Sequence, residues 1–148
     1  MFNKKELKEA CMAVLDQKIS VLKSSIKETQ DSSNNETKST AGDKHETSRA
    51  MAQLEVERLS AQLHQQERLR SLLSAINTSE SQKVESGAIV KTDKGLFYMS
   101  IALGTVRQSG EVIMTVGMGA PISQLMLGLK DGDSFSFNGN KYYIEEIF

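Results

Sequence analysis

The stretch Gln30-Asp31-Ser32-Ser33-Asn34-Asn35-Glu36-Thr37-Lys38-Ser39-Thr40-Ala41-Gly42-Asp43 decides how this chain is read. Its only apolar residue is Ala41, so it has nothing to bury and is expected to turn in solvent. Before it, Leu7, Cys11, Leu15, Ile19, Leu22 and Ile26 step by four, four, four, three and four residues, with Val14 and Val21 on the flank. After it, Ala52, Val56, Leu59, Leu63, polar Gln66, Leu69 or Arg70, Leu73 and Ile76 repeat at near-heptad spacing. Each series is the apolar stripe of an amphipathic helix, and the second suits coiled-coil packing. Neither segment, 4–30 or 44–76, contains glycine or proline. Two such helices joined by a polar turn pair most simply as an antiparallel hairpin. At ~1.5 Å per residue the second helix would be roughly 50 Å long. It would share one narrow seam with the first and enclose no thick core. Asp43, or Thr40, is placed to cap it, and Asp43 followed three residues later by Glu46 has the spacing of a capping box.

The second half is written differently. Nine of ten glycines, the single proline, all three tyrosines and four of five phenylalanines lie at or beyond Gly87. The change falls near Asn77-Thr78-Ser79-Glu80-Ser81, which holds no apolar residue. Strands are expected at Ala88-Ile89-Val90, Gly95–Ile101, Gly110–Val116, Ser134–Phe137 and Tyr142–Ile147. Asp93-Lys94-Gly95 and Asn138-Gly139-Asn140 supply hairpin turns. Pro121–Gly128 is a short helix with proline in its first turn and glycine at its end. The fold class expected is α+β. An antiparallel α-helical coiled-coil hairpin over 1–78, its tip near 31–46, precedes a small antiparallel sheet of about five strands with one short helix over 85–148.

Composition excludes several classes of function. The 148 residues carry 18 Lys+Arg against 19 Asp+Glu, too balanced for a nonspecific nucleic-acid clamp. No run of about 18 apolar residues is present to span a membrane, and Met1–Glu6 lacks the apolar core of a signal peptide, so a soluble cytoplasmic protein is expected. One cysteine and two histidines cannot furnish a disulfide framework, a cysteine zinc cluster or a nucleophile–histidine pair. Cys11 lies on the apolar stripe and reads as a buried structural thiol. Gly117-Met118-Gly119-Ala120 lacks the Lys and Ser/Thr of a phosphate loop and reads as a turn. Met99, Met114, Met118 and Met126 read as core filler.

Asp43 and Glu46 leave two readings open. Three residues apart at a helix start, they suit capping and the positive end of the helix dipole. They also suit a metal site completed by another molecule, because magnesium often takes only one or two protein carboxylates.

Two stretches resemble one family. Ala120-Pro121-Ile122-Ser123-Gln124-Leu125-Met126-Leu127-Gly128-Leu129-Lys130-Asp131-Gly132-Asp133 is similar to the Ser-Pro-Ile-Ala-x-x-Leu-x-Gly-Lys-x-x-x-Asp segment of the bacterial Gre-type (GreA/GreB) transcript cleavage factors. Gly42-Asp43-Lys44-His45-Glu46 is similar to their Gly-Asp-x-x-Glu tip. The resemblance implies a coiled coil followed by an FKBP-like domain without prolyl isomerase activity. It implies a monomer that binds RNA polymerase at the rim of its secondary channel and meets the 3' end of nascent RNA only indirectly. Pro121, Ile122, Leu125, Gly128, Asp131 and Asp133 would dock on the polymerase. Asp43 and Glu46 would help to hold a magnesium ion shared with the polymerase active centre, which cleaves its own backtracked transcript. The chain would have no cofactor of its own and would be a catalytic accessory rather than an enzyme. Where the family continues Glu-Asn-x-Glu-Tyr, this chain has Glu46-Thr47-Ser48-Arg49-Ala50. The alternatives are a secondary-channel regulator that does not cleave, and a coiled-coil structural adaptor whose helices pair between chains.

Overall fold

The structure is a computed structural model that describes residues 2–36 and 42–148, with side chains for 2–33 and 46–148. Its elements are α1 (Lys4–Glu36), α2 (Gly42–Ser74), β1 (Ile89–Thr92), β2 (Gly95–Ser100), β3 (Thr105–Gln108), β4 (Glu111–Gly117), α3 (Pro121–Met126), β5 (Ser134–Phe137) and β6 (Asn140–Ile147). Contacts divide the chain into two compact units. Residues 1–12 and 72–148 form one, and residues 13–71 the other.

In the 13–71 unit the two helices run antiparallel. Asp16 pairs with Arg70, residues 17–22 lie beside 61–66, and 28–33 lie beside 48–52. Leu15, Ile19 and Leu59 are buried in the seam the stripes foretell. Helix α1 continues to Glu36, six residues past the expected start of the turn at Gln30. No glycine or proline interrupts 30–36, and once a helix is nucleated each added residue gains a hydrogen bond. Polarity does not by itself end a helix. Helix α2 starts at Gly42, so Asp43 lies inside its first turn rather than at the N-cap the spacing suggested.

In the other unit, six strands form one sheet in the order β3-β4-β2-β1-β6-β5. The strand missed by sequence is β3. Thr105-Val106-Arg107-Gln108 has one apolar residue and too little alternation to announce itself. It pairs antiparallel with β4 through a tight turn at Ser109 (φ 55) and Gly110 (φ 79). Because β4 inserts between β2 and β3, its pairing with β2 is parallel and the sheet is mixed. Thr115 holds the crossing. Its Oγ1 accepts the Leu103 N–H at 2.8 Å and donates to the Gly104 carbonyl at 2.7 Å.

The sheet buries both faces. On one, Val90, Phe97, Met99, Val116 and Ile144 pack with Val84, Met126 and Phe135. On the other, Ile89, Tyr98 and Ile113 are buried and alternate with the first set, as the pleat requires. Leu7, Cys11 and Leu73 are fully buried in the same unit. The polar stretch after α2 is part of this packing. Lys4 Nζ donates to the Ser79 carbonyl at 2.7 Å and to Ser81 Oγ at 3.1 Å, and Lys8 Nζ donates to the Ser74 and Ile76 carbonyls. The Lys8 ammonium thus satisfies carbonyls at and just beyond the end of α2. No described helix is long and apolar enough to cross a membrane.

Candidate functional site

The segment from Ala120 to Asp133 is a helix held between two turns. Ala120 is extended (φ −64, ψ 145) and Pro121 opens α3, where its missing N–H costs nothing and its fixed φ suits the helix. The helix ends as the Leu127 N–H bonds to the Ser123 carbonyl at 2.9 Å. Gly128 then takes φ +83, a left-handed conformation in which a side chain would be strained. This turn aligns Gly128 with residue 84. The Gly128 N–H donates to the Val84 carbonyl, and the Val84 N–H donates to the Leu129 carbonyl, both at 2.8 Å. Asp133 closes the second turn: its Oδ2 accepts the Lys130 N–H at 2.8 Å, and its carbonyl accepts the Ile144 N–H at 2.8 Å.

The six residues expected to dock therefore divide by role. Gly128 and Asp133 set the turns. Ile122 is half-buried against the core cluster. Pro121, Leu125 and Asp131 are exposed, and Leu125 is the largest apolar side chain among these three. Sequence reasoning missed two others. Val112 and Met114 on β4 are each 47% exposed, which overturns the reading of Met114 as core filler. They share the Val116 face of the sheet by alternation, whereas α3 packs at the β5 edge. The β3–β4 end of that face is thus uncovered apolar surface. The sequence carried no signal for it: Val112-Ile113-Met114-Thr115-Val116, apolar on both faces, reads as a strand buried on both sides.

The tip is described in part. Positions 43 and 46 are three apart in α2, a spacing that places both on one side of a helix. Glu46 is exposed; the side chain of Asp43 lies outside the described residues. Among the described residues, no group of three or more His, Cys, Asp or Glu side chains is arranged to hold a metal ion. A donor set of two carboxylates at this spacing fits an ion whose other ligands come from elsewhere.

No family model matches this chain, and no curated protein matches it. Solved structures do. The chain is similar to the crystal structure of GreA factor homolog 1 (Gfh1) of Thermus thermophilus, at 16% identity over 93% of this chain and 94% of that one, with a TM-score of 0.36. A second structure of the transcription factor Gfh1 gives 17% identity over 92% of each chain, with a TM-score of 0.36. Gfh1 of Thermus aquaticus gives 17% identity over 86% of this chain and 92% of that one, with a TM-score of 0.32.

Burial shifts three titratable groups inside the sheet unit. Burial pushes the Cys11 thiol up to about 11, so it is not a nucleophile at neutral pH. Burial, with the Cys11 charge second, pushes the Tyr98 phenol up to about 12. Burial lowers the Lys4 ammonium, and Glu85 and Glu80 oppose that shift. Cys11 and Tyr98 are almost fully buried, whereas Lys4 lines an open cleft with Lys5, Glu80, Asp131 and Glu146.

Proposed function

We propose that this chain is a Gre-like transcription factor that binds RNA polymerase at its secondary channel and presents Asp43 and Glu46 to the polymerase active centre. The observation that carries this reading is the order of two motifs on matching elements. Gly42-Asp43-Lys44-His45-Glu46 opens the second helix of a hairpin, and Pro121–Asp133 forms the helix and turns of the sheet domain that follows. Docking would use exposed apolar side chains of that domain, Leu125 on α3 or Val112 and Met114 at the β3–β4 end of the sheet, because such groups gain most on leaving water. At the tip, Asp43 and Glu46 would hold a magnesium ion together with the polymerase. When bound, that ion supplies activation of the attacking water and stabilisation of the leaving oxygen in phosphodiester hydrolysis. The two carboxylates contribute negative charge and orientation. The chain acts as an accessory, stimulating the polymerase to cleave backtracked transcripts.

A second reading has its own observation. The acidic residue and tyrosine that follow the tip in the family are absent after Glu46, which favours a factor that occupies the channel without promoting cleavage. A cleavage assay on backtracked elongation complexes separates the two, with binding measured in parallel. Transcript shortening by the wild type, lost in Asp43→Asn/Glu46→Gln while binding persists, supports the acidic-tip mechanism. Binding without shortening by either protein supports the regulator. Absence of binding by both rejects the polymerase reading altogether.

A further inference from the structure

A cleft of about 690 Å³ opens in the sheet unit beside the start of α1, a volume within the range of small-molecule sites. Three kinds of side chain line it. Phe2 and Phe148 supply an apolar wall, their rings meeting edge to face at 5.2 Å. Lys4 and Lys5 supply ammonium groups, and Glu80, Asp131 and Glu146 supply carboxylates. Of these residues only Asp131 lies in the 42–46 or 120–133 segments.

Lys4 is the residue that sets this cleft apart. It is 7% exposed, and lysine is almost never buried so far unless its charge is paired. Its Nζ has two acceptors, the Ser79 carbonyl and Ser81 Oγ, and both are neutral. An ammonium carries three N–H donors, and the third has no acceptor among the described residues. Glu85 and Glu80 favour its charge through space, but loss of water outweighs them and lowers its pKa. Ser81 lines the cleft too, which puts the ammonium end of Lys4 at the wall. An anionic group entering there takes the third N–H and replaces the hydration that burial removes. A perturbed, incompletely partnered cation on the wall of a cleft marks a candidate binding site. The other ions around it are also available. Lys5, Asp131 and Glu146 are exposed, and their charged groups make no hydrogen bond or ion pair within the described residues.

We propose that this cleft binds a small zwitterion with an apolar side chain, of the class of the α-amino acids. The carboxylate of the ligand meets the third N–H of Lys4, with Lys5 beside it. Its ammonium group meets Glu80, Asp131 and Glu146, and its side chain lies on Phe2 and Phe148. Simpler ligands fit less well. An anion alone would satisfy Lys4 but face three carboxylates. An amine alone would satisfy the carboxylates but leave Lys4 incompletely bonded and add a third ammonium to the two lysines. Charges of both signs around one space select a ligand that carries both. The inference stands apart from the polymerase reading, and either can fail alone.

Titration of the full-length chain with L-phenylalanine, followed by backbone amide NMR, tests it. The expected result is saturation between about 0.1 and 10 mM, as for a ligand of this size. The shifts should centre on residues 2–5, 78–82 and 146–148. Phenethylamine lacks the carboxylate, hydrocinnamate lacks the amine and glycine lacks the ring. Each should bind at least about tenfold more weakly. Lys5→Gln and Glu146→Gln should each weaken binding by about threefold or more, with helicity by circular dichroism unchanged because both side chains are exposed. Lys4→Met should remove binding; if it also unfolds the chain, the two exposed variants carry the test. No saturable shift by about 10 mM, shifts scattered over the surface, or an analogue that binds as tightly as L-phenylalanine would each overturn the inference. Binding indifferent to both exposed variants counts against it as well.

Discussion

Ser123 is the residue whose presence structure explains least. It is fully buried, and its Oγ has no partner among the described residues. A buried hydroxyl without a bond loses its hydration and regains nothing. Ser123→Ala should therefore raise stability by about 1 kcal/mol, read as a higher urea midpoint at unchanged slope. Cys11 carries the opposite sensitivity. Burial raises its folded pKa to about 11 from the 9.0 of an exposed thiol, so above pH 9 the unfolded chain releases a proton that the folded chain keeps. Stability from this group is complete below pH 9 and falls as pH rises towards 11, by roughly 2–3 kcal/mol in all. Tyr98, raised to about 12, extends the loss in the same direction. Denaturation measured between pH 8 and 11 should show the decline, and Cys11→Ala should flatten its first part. A profile equally steep in the variant would show that other groups cause it.

At the scale of the element, single residues decide where the chain turns. Gly87 is one. Its φ is +91, and a Cβ there would stand 2.6 Å from the Asn77 carbonyl oxygen and 3.2 Å from Ile76 Cγ2. The backbone oxygen cannot step aside as a flexible side chain would, so Gly87→Ala should cost at least about 2 kcal/mol, through positive-φ strain and the clash together. Gly110→Ala makes the contrast. It also has positive φ but nothing within 4 Å of the added carbon, so its cost should be the conformational part alone, about 1 kcal/mol. Parallel thermal melts of the two variants separate the contributions, and equal losses would remove the clash from the account. Thr115 acts on an element in another way. Without its hydroxyl, Thr115→Val leaves the Leu103 N–H and one Gly104 lone pair unmet, so the β2–β3 crossing should become the fastest-exchanging part of the sheet's interior by hydrogen exchange.

At the scale of the whole molecule, binding should depend on surface that the fold leaves bare. Val112 and Met114 are half in water on one face of the sheet, and Leu125 is 46% exposed on α3. If polymerase is the partner, Val112→Thr/Met114→Lys should weaken binding by tenfold or more while the melting temperature moves little, since both side chains are already solvated. Undiminished binding would move the docking surface elsewhere on the molecule.

The helices were legible because their signal is local. Leu7, Cys11, Leu15 and Ile19 repeat at a period only a helix can bury, and the absence of glycine and proline lets α1 and α2 run. Proline at 121 and glycine at 128 bounded α3 for equally local reasons. The strands with strong alternation or an Asn-Gly turn were legible for the same cause. Other features belong to the tertiary structure. β3 exists because β4 lies beside it, since one apolar residue, Val106, cannot specify a strand alone. The parallel pairing of β2 with β4 follows from an insertion that no residue of either strand encodes. Lys4, a charged residue expected at a surface, is buried because the Ser79 carbonyl and the Ser81 hydroxyl arrive to receive its ammonium. Asp43 and Glu46 could be named from spacing, since a helix converts spacing into direction. Val112 and Met114 could not be called bare from sequence, because exposure is the absence of a neighbour, and only the folded chain decides where neighbours are missing.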